Sequence, residues 1–146
     1  MRYLTTVIVG LVVSACLCAQ DKKELERMTG KWQPSAMQMG DSKFSAEQMK
    51  NITLIIDGDK YHTIVSGQSD KGTLKIDPKA KPKSMDIVGT EGPNKGKTFP
   101  AIYELEGDTL RICYALEGTK RPTEFKVTGE KVLLVTYKKT KDDKKK

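Results

Sequence analysis

Few side chains in this sequence could do chemistry, and their types and spacing do not gather them into one site. His62 is the only histidine. A Ser-His-Asp, Cys-His or multi-histidine metal set is therefore not indicated, and no ligand spacing joins His62 to Cys113 and carboxylates as a zinc site. Glu104, Glu106 and Asp108 could pose as the carboxylate pair of a glycosidase. Glu104 and Glu106 share one face of an expected strand beside a turn, which reads as a solvated face. Gly92 to Gly96 superficially resembles a phosphate loop, but it lacks the Walker spacing and no helix follows, so it reads as a plain turn. The chain reads as a non-enzyme with no metal and no cofactor.

Three cations remain as candidate ligand contacts. Arg121, beside Pro122 in one loop, and Lys95 and Lys97 in another, could approach the mouth of a barrel and favour a small ligand that is anionic at one end. Arg121 also has a simpler reading, in which it braces its loop against Asp86 or Glu124. Trp32, Tyr61, Tyr103, Tyr114 and Phe125 could line a pocket, although most such rings form core. Cys113 lies in an apolar strand and is expected to be an inert, buried thiol.

Short strands would position these groups. Residues 98–125 show the pattern most clearly, with Leu110, Ile112 and Tyr114 on one face and Thr109, Arg111 and Cys113 on the other. That period of two marks a half-buried strand. Further strands are expected over 51–56 and 60–66, joined at Asp57-Gly58-Asp59, and over 71–77, 84–88, 123–127 and 132–138. Gly30-Lys31-Trp32 opens the first strand, and Pro34 points to an edge or a bulge there. One or two helical turns are expected over 21–28, stopped by Gly30. Ser45, with Gln48 three residues on, is a capping-box pattern for a second short helix ending near Lys50.

Strands at this spacing, with no βαβ alternation, predict an all-β fold. The expected form is a small antiparallel up-and-down barrel of about eight strands, since closure removes exposed edges. The expected inward residues are Leu54, Ile56, Leu74, Ile76, Met85, Ile87, Leu110, Ile112, Phe125 and Leu134. They are large, so the interior is expected to be largely filled.

The N-terminus has the layout of an export signal: a basic start, an apolar run over 4–13, then small residues. Two cleavage points stay open. Val13-Ser14-Ala15-Cys16 resembles the bacterial lipobox, which would end the leader at residue 15 and place lipid on Cys16; this is the preferred reading. Ordinary cleavage after Cys18 would instead release a soluble protein. The net charge of +7 is largely local, because residues 138–146 hold six lysines and two aspartates. The body is close to neutral and nucleic acid is not an expected partner. The domain organisation is thus a leader (1–18, or 1–15), a barrel domain (25–138) and a basic tail (139–146).

Several segments also resemble an uncharacterised family of bacterial lipocalin-like domains known mainly from planctomycetes and their relatives. These are Gly30-Lys31-Trp32, then 72–78, 81–87, 92–97 and 102–110, followed by Cys113-Tyr114 and 121–125. The resemblance spans about residues 25–138 and implies a small exported β-barrel with no established activity. Two departures stand out. Pro34 interrupts the first strand, and Lys138-Lys139 stands where the family usually has an arginine that packs over the tryptophan.

The functional expectation is an exported, lipid-anchored structural or interaction module in the periplasm or at the cell surface, held to a membrane through Cys16. The alternative is weak binding of a small apolar or anionic amphipathic ligand at the barrel mouth.

Overall fold

The computed structural model describes residues 13–116 and 120–141, with side chains from residue 19 onward. It contains two helices, α1 (Val13–Met28) and α2 (Ala46–Met49). The strands are β1 (Gly30–Met39), β2 (Ser42–Lys43), β3 (Ile52–Asp57), β4 (Lys60–Val65), β5 (Gln68–Asp77), β6 (Ser84–Glu91), β7 (Thr98–Glu106), β8 (Thr109–Ala115) and β9 (Val132–Lys139). Every strand from β3 to β9 pairs with its sequence neighbour, and β1 pairs with both β3 and β9. The result is a closed, eight-stranded antiparallel up-and-down barrel of lipocalin-like form, with β2 as a short extra strand on β1.

Local chemistry accounts for the connections. Gly58 and Gly107 adopt φ of +58° and +54° in the tight turns β3–β4 and β7–β8, where a side chain would be strained. Ser45 caps α2 as expected, accepting from the Gln48 N–H while the Gln48 side chain accepts from the Ser45 N–H. The predicted bulge in β1 falls between Pro34 and Ala36. Proline brings no N–H to the ladder, and the Ser35 hydroxyl donates to the Thr136 carbonyl at 3.2 Å.

One end of the barrel is sealed. Helix α1 is longer than the expected turns over 21–28, and its last turn drives Met28 into the barrel beside Trp32, both fully buried. The indole N–H donates to the Met28 carbonyl at 2.9 Å, which satisfies the one polar atom of the ring. Lys139 takes the place of the arginine anticipated over the tryptophan, with its Nζ 5.1 Å from the ring centroid. Gly30 lies beneath it at φ +146°, a backbone conformation that favours glycine. Lys139 and Thr140 therefore belong to the barrel, not to a tail starting at residue 139; Thr140 donates its N–H to Lys31 at 2.8 Å. Residues 142–146 lie outside the described residues, as does the apolar run of the leader up to residue 12.

Two expectations are corrected. Residues 123–127 form no strand, because β8 pairs directly with β9 and leaves no place in the ladder. Phe125 and Val127 instead pack outside the barrel on Ile102, Cys113, Val132 and Leu134. Phe125 and Leu134 are thus not inward residues; on β9 the inward side chains are Leu133, Val135 and Tyr137. The other expected inward residues do belong to the main core or pack against it.

Among the described residues Glu24 is the single buried carboxylate, 7% exposed. It accepts from Lys83 at 2.7 Å, Arg27 at 3.1 Å and the Tyr103 hydroxyl at 3.3 Å. Burial alone would raise its pKa, but the hydrogen bond and charge of Lys83, helped by Arg27 and Tyr103, hold it below the ordinary 4.5. A carboxyl depressed in the folded state contributes stability above pH 4.5 that is lost as pH falls through the folded value. We expect denaturant midpoints to drop over that acid range in the natural protein. Glu24→Gln should lower stability at neutral pH by about 1–3 kcal/mol and flatten the acid limb. An unchanged acid limb would count against this role.

Candidate ligand cavity

The end opposite α1 is not filled. An apolar cavity of about 310 Å³ lies inside the barrel there, with Leu54, Ile56, Leu74, Met85, Ile87 and Ile112 in its wall. Its mouth is marked by Val65, which is 46% exposed, and by Gln68 and Pro93. The expected filling of the interior therefore holds in the sealed half, where Trp32 and Met28 sit, while the open half keeps space.

The polar groups at this end come from β4, β5 and the β6–β7 loop. Asp70 of β5 faces the cavity opposite Thr63 of β4. It accepts from the Tyr61 hydroxyl at 3.1 Å, the Asn94 N–H at 3.1 Å and the Asn94 side-chain amide at 3.0 Å. Glycines make this arrangement fit. A Cβ on Gly72 would lie 2.7 Å from the Tyr61 ring and 1.9 Å from the Val88 carbonyl oxygen, so only glycine lets Tyr61 pack there. Gly92, at φ +93°, passes so close to β5 that a Cβ would meet the Ser69 carbonyl oxygen at 2.5 Å. The loop neck is closed by Gly89 N–H to Lys97 O and Gly96 N–H to Gly89 O, each 2.9 Å. The plain turn expected over 92–96 is thus a structured loop that places Pro93 and Asn94 against the cavity.

Tyr114 and Tyr137 add a hydroxyl pair, 3.1 Å apart, to the wall. Burial drives both phenols upward. Tyr114 lies well above its usual value, raised further by Tyr137, and Tyr137 is pushed up to about 12, tempered by its bond to Tyr114. Tyr61 is also raised, by burial and then by the Asp70 charge. All three stay protonated; Tyr61 gives its hydrogen to Asp70, and one of the Tyr114–Tyr137 pair donates to the other.

The three cations proposed from sequence are not brought together in this cavity. Arg121 lies on the outer surface. It donates to the carbonyls of Met85 at 2.9 Å and Ala101 at 2.8 Å, and pairs with Asp86, the bracing role weighed for it. Met85 and Ala101 stand opposite each other in the β6–β7 ladder, so the one guanidinium ties the two strands together. Lys95 and Lys97 are exposed on the loop that carries Asn94, and neither side chain lines the cavity.

The remaining candidates stand apart. His62 is on the outer face of β4, 2.9 Å from the Ser69 hydroxyl, while Cys113 is buried on β8 with its thiol pushed up by burial. Arg111 donates to Glu104 at 2.5 Å; this bond holds the Glu104 carboxyl below its usual value. Cys16 lies in α1, with its side chain outside the described residues. Among the described residues no helix is long and apolar enough to cross a membrane.

Sequence reasoning missed Asp70, Asn94 and the Tyr61 hydroxyl as neighbours. The Gly72 and Gly92 positions were a signal, since mid-strand and loop glycines mark close backbone approach, but they do not say what approaches. Comparison with protein-family models, with curated proteins and with solved structures finds no match.

Removing the Asp70 carboxylate should release the loop. In Asp70→Ala we expect amide hydrogen exchange at Asn94 to accelerate, with a stability loss of about 1–3 kcal/mol. Unaltered exchange at Asn94 would mean that the loop is held by its own turn.

Proposed function

We propose that the protein is a small-molecule-binding barrel that takes an apolar or amphipathic ligand into its open end. The observation that supports this most directly is the apolar cavity of about 310 Å³ with polar groups at its mouth. Ligand pockets span roughly 300–1,000 Å³, so this one suits a small guest. A dry cavity of about 150 Å³ already admits benzene, and a ring with a short chain is the size that matches here. The sealed end supports the same reading, because apolar side chains and the Trp32 cap leave one mouth for entry. A purely structural module would gain by filling this space, since empty apolar volume costs stability.

Titration of phenyl-substituted short-chain alcohols by calorimetry should show saturable one-to-one binding with a negative heat-capacity change. Thr63→Trp would place an indole across the mouth; we expect at least about a tenfold loss of affinity, or 1.4 kcal/mol, with the fold intact by circular dichroism. Equal binding by this variant would locate the ligand elsewhere.

The lipobox-like residues preceding Cys16 support export and lipid anchoring, and the likeness to planctomycete lipocalin-like domains belongs to the same proposal. The barrel does not depend on the leader in this reading. Glu24, Leu25 and Met28, which close the barrel, all follow both candidate cleavage points. Intact mass of the protein recovered from bacterial membranes should fit a chain starting at an acylated Cys16. A chain starting at an unmodified Ala19 would remove the anchor, and retention of Met1 would remove export as well.

A further inference from the structure

We propose that the cavity selects a ligand whose polar end is a cation, with Asp70 as the counter-charge; this deepens the binding reading above and rests on it. The acidic character of the mouth is the reason. Asp70 lines the cavity, and no lysine or arginine forms an ion pair with it among the described residues. Its three hydrogen bonds, from Tyr61 and Asn94, are all from neutral donors. They fix the carboxylate in place and use about three of its four acceptor positions, but they leave its negative charge uncompensated.

The cations that would have favoured an anion are engaged or turned away. Arg121 is bound to Asp86 and two carbonyls on the outer surface, and Lys95 and Lys97 are not in the cavity wall. The wall itself carries Tyr61, Tyr114 and Tyr137, whose rings attract a nearby ammonium group through their negative faces. A carboxylate ligand would meet Asp70 at the mouth and be repelled, whereas an ammonium would be attracted and could donate to the carboxylate. The ligand class is therefore a small amine with an aromatic or short alkyl body, the body in the apolar half and the ammonium at Asp70.

A matched series tests this: phenylbutylamine, phenylbutanol and phenylbutyrate, titrated by calorimetry near neutral pH. We expect the amine to bind at least about tenfold more tightly than the alcohol, and the acid most weakly. In Asp70→Asn the preference for the amine over the alcohol should vanish, whatever the change in the affinity of the alcohol itself. Added salt should weaken the amine and not the alcohol in the natural protein, which keeps the test decisive if the variant does not fold. Phenylbutyrate binding as tightly as the amine overturns the inference, as does equal binding of amine and alcohol, and in both cases the cavity still binds. Absence of binding by all three overturns the binding reading itself.

Discussion

Closure of the sheet by β1 against β9 is the constraint on which the rest of the structure depends. The two strands stay in register from Trp32 opposite Lys139 to Met39 opposite Leu133, interrupted only by the bulge at Ser35. This pairing joins the first strand to the last and removes both long edges of the meander. It also sets the contact between Lys139 and Trp32. A slip of one residue would turn Val135 and Tyr137 outward and bring Leu134 and Thr136 into the core.

The two ends of the barrel then differ for a reason that lies in what covers them. At one end a helix supplies Met28 and the Glu24 cluster. At the other, the space between β1 and β3 is not bridged by a ladder beyond Trp32 opposite Leu54, and the small helix α2 packs beside β1. The β6–β7 loop leans across toward β5, held by Asp70, and does not insert an apolar side chain as α1 does. An interior that is solid at one end and hollow at the other follows from that difference.

Charge placement on the outside shapes the inside. Residues 120–131 lie over the outer faces of β8 and β9, where Phe125 covers Cys113 and carries Arg111 at 4.3 Å from its ring. Arg121 anchors the start of this segment on β6 and β7. Basic groups used in this way bind the segment to the barrel, and the carboxylate of Asp70 is left to set the sign of charge at the mouth.

The sequence by itself determined the class of fold, most strand positions, the cap of α2 and the alternation along β8, and it narrowed Pro34 to an edge or a bulge. These are local properties: side-chain period, turn glycines and a proline without an N–H act over a few residues wherever the chain goes. Only the tertiary structure decided that Phe125 and Leu134 lie outside, because the inward face of β9 depends on its pairing with β8 and β1. It also decided that Arg121 braces strands, that Lys139 covers Trp32 and that Asp70, Tyr61 and Asn94 meet at the cavity. Asp70 and Asn94 stand 24 residues apart, and no spacing rule links them. Their meeting depends on where a loop comes to rest, which is settled by close backbone approach at Gly72 and Gly92 and not by any preference of the residues themselves.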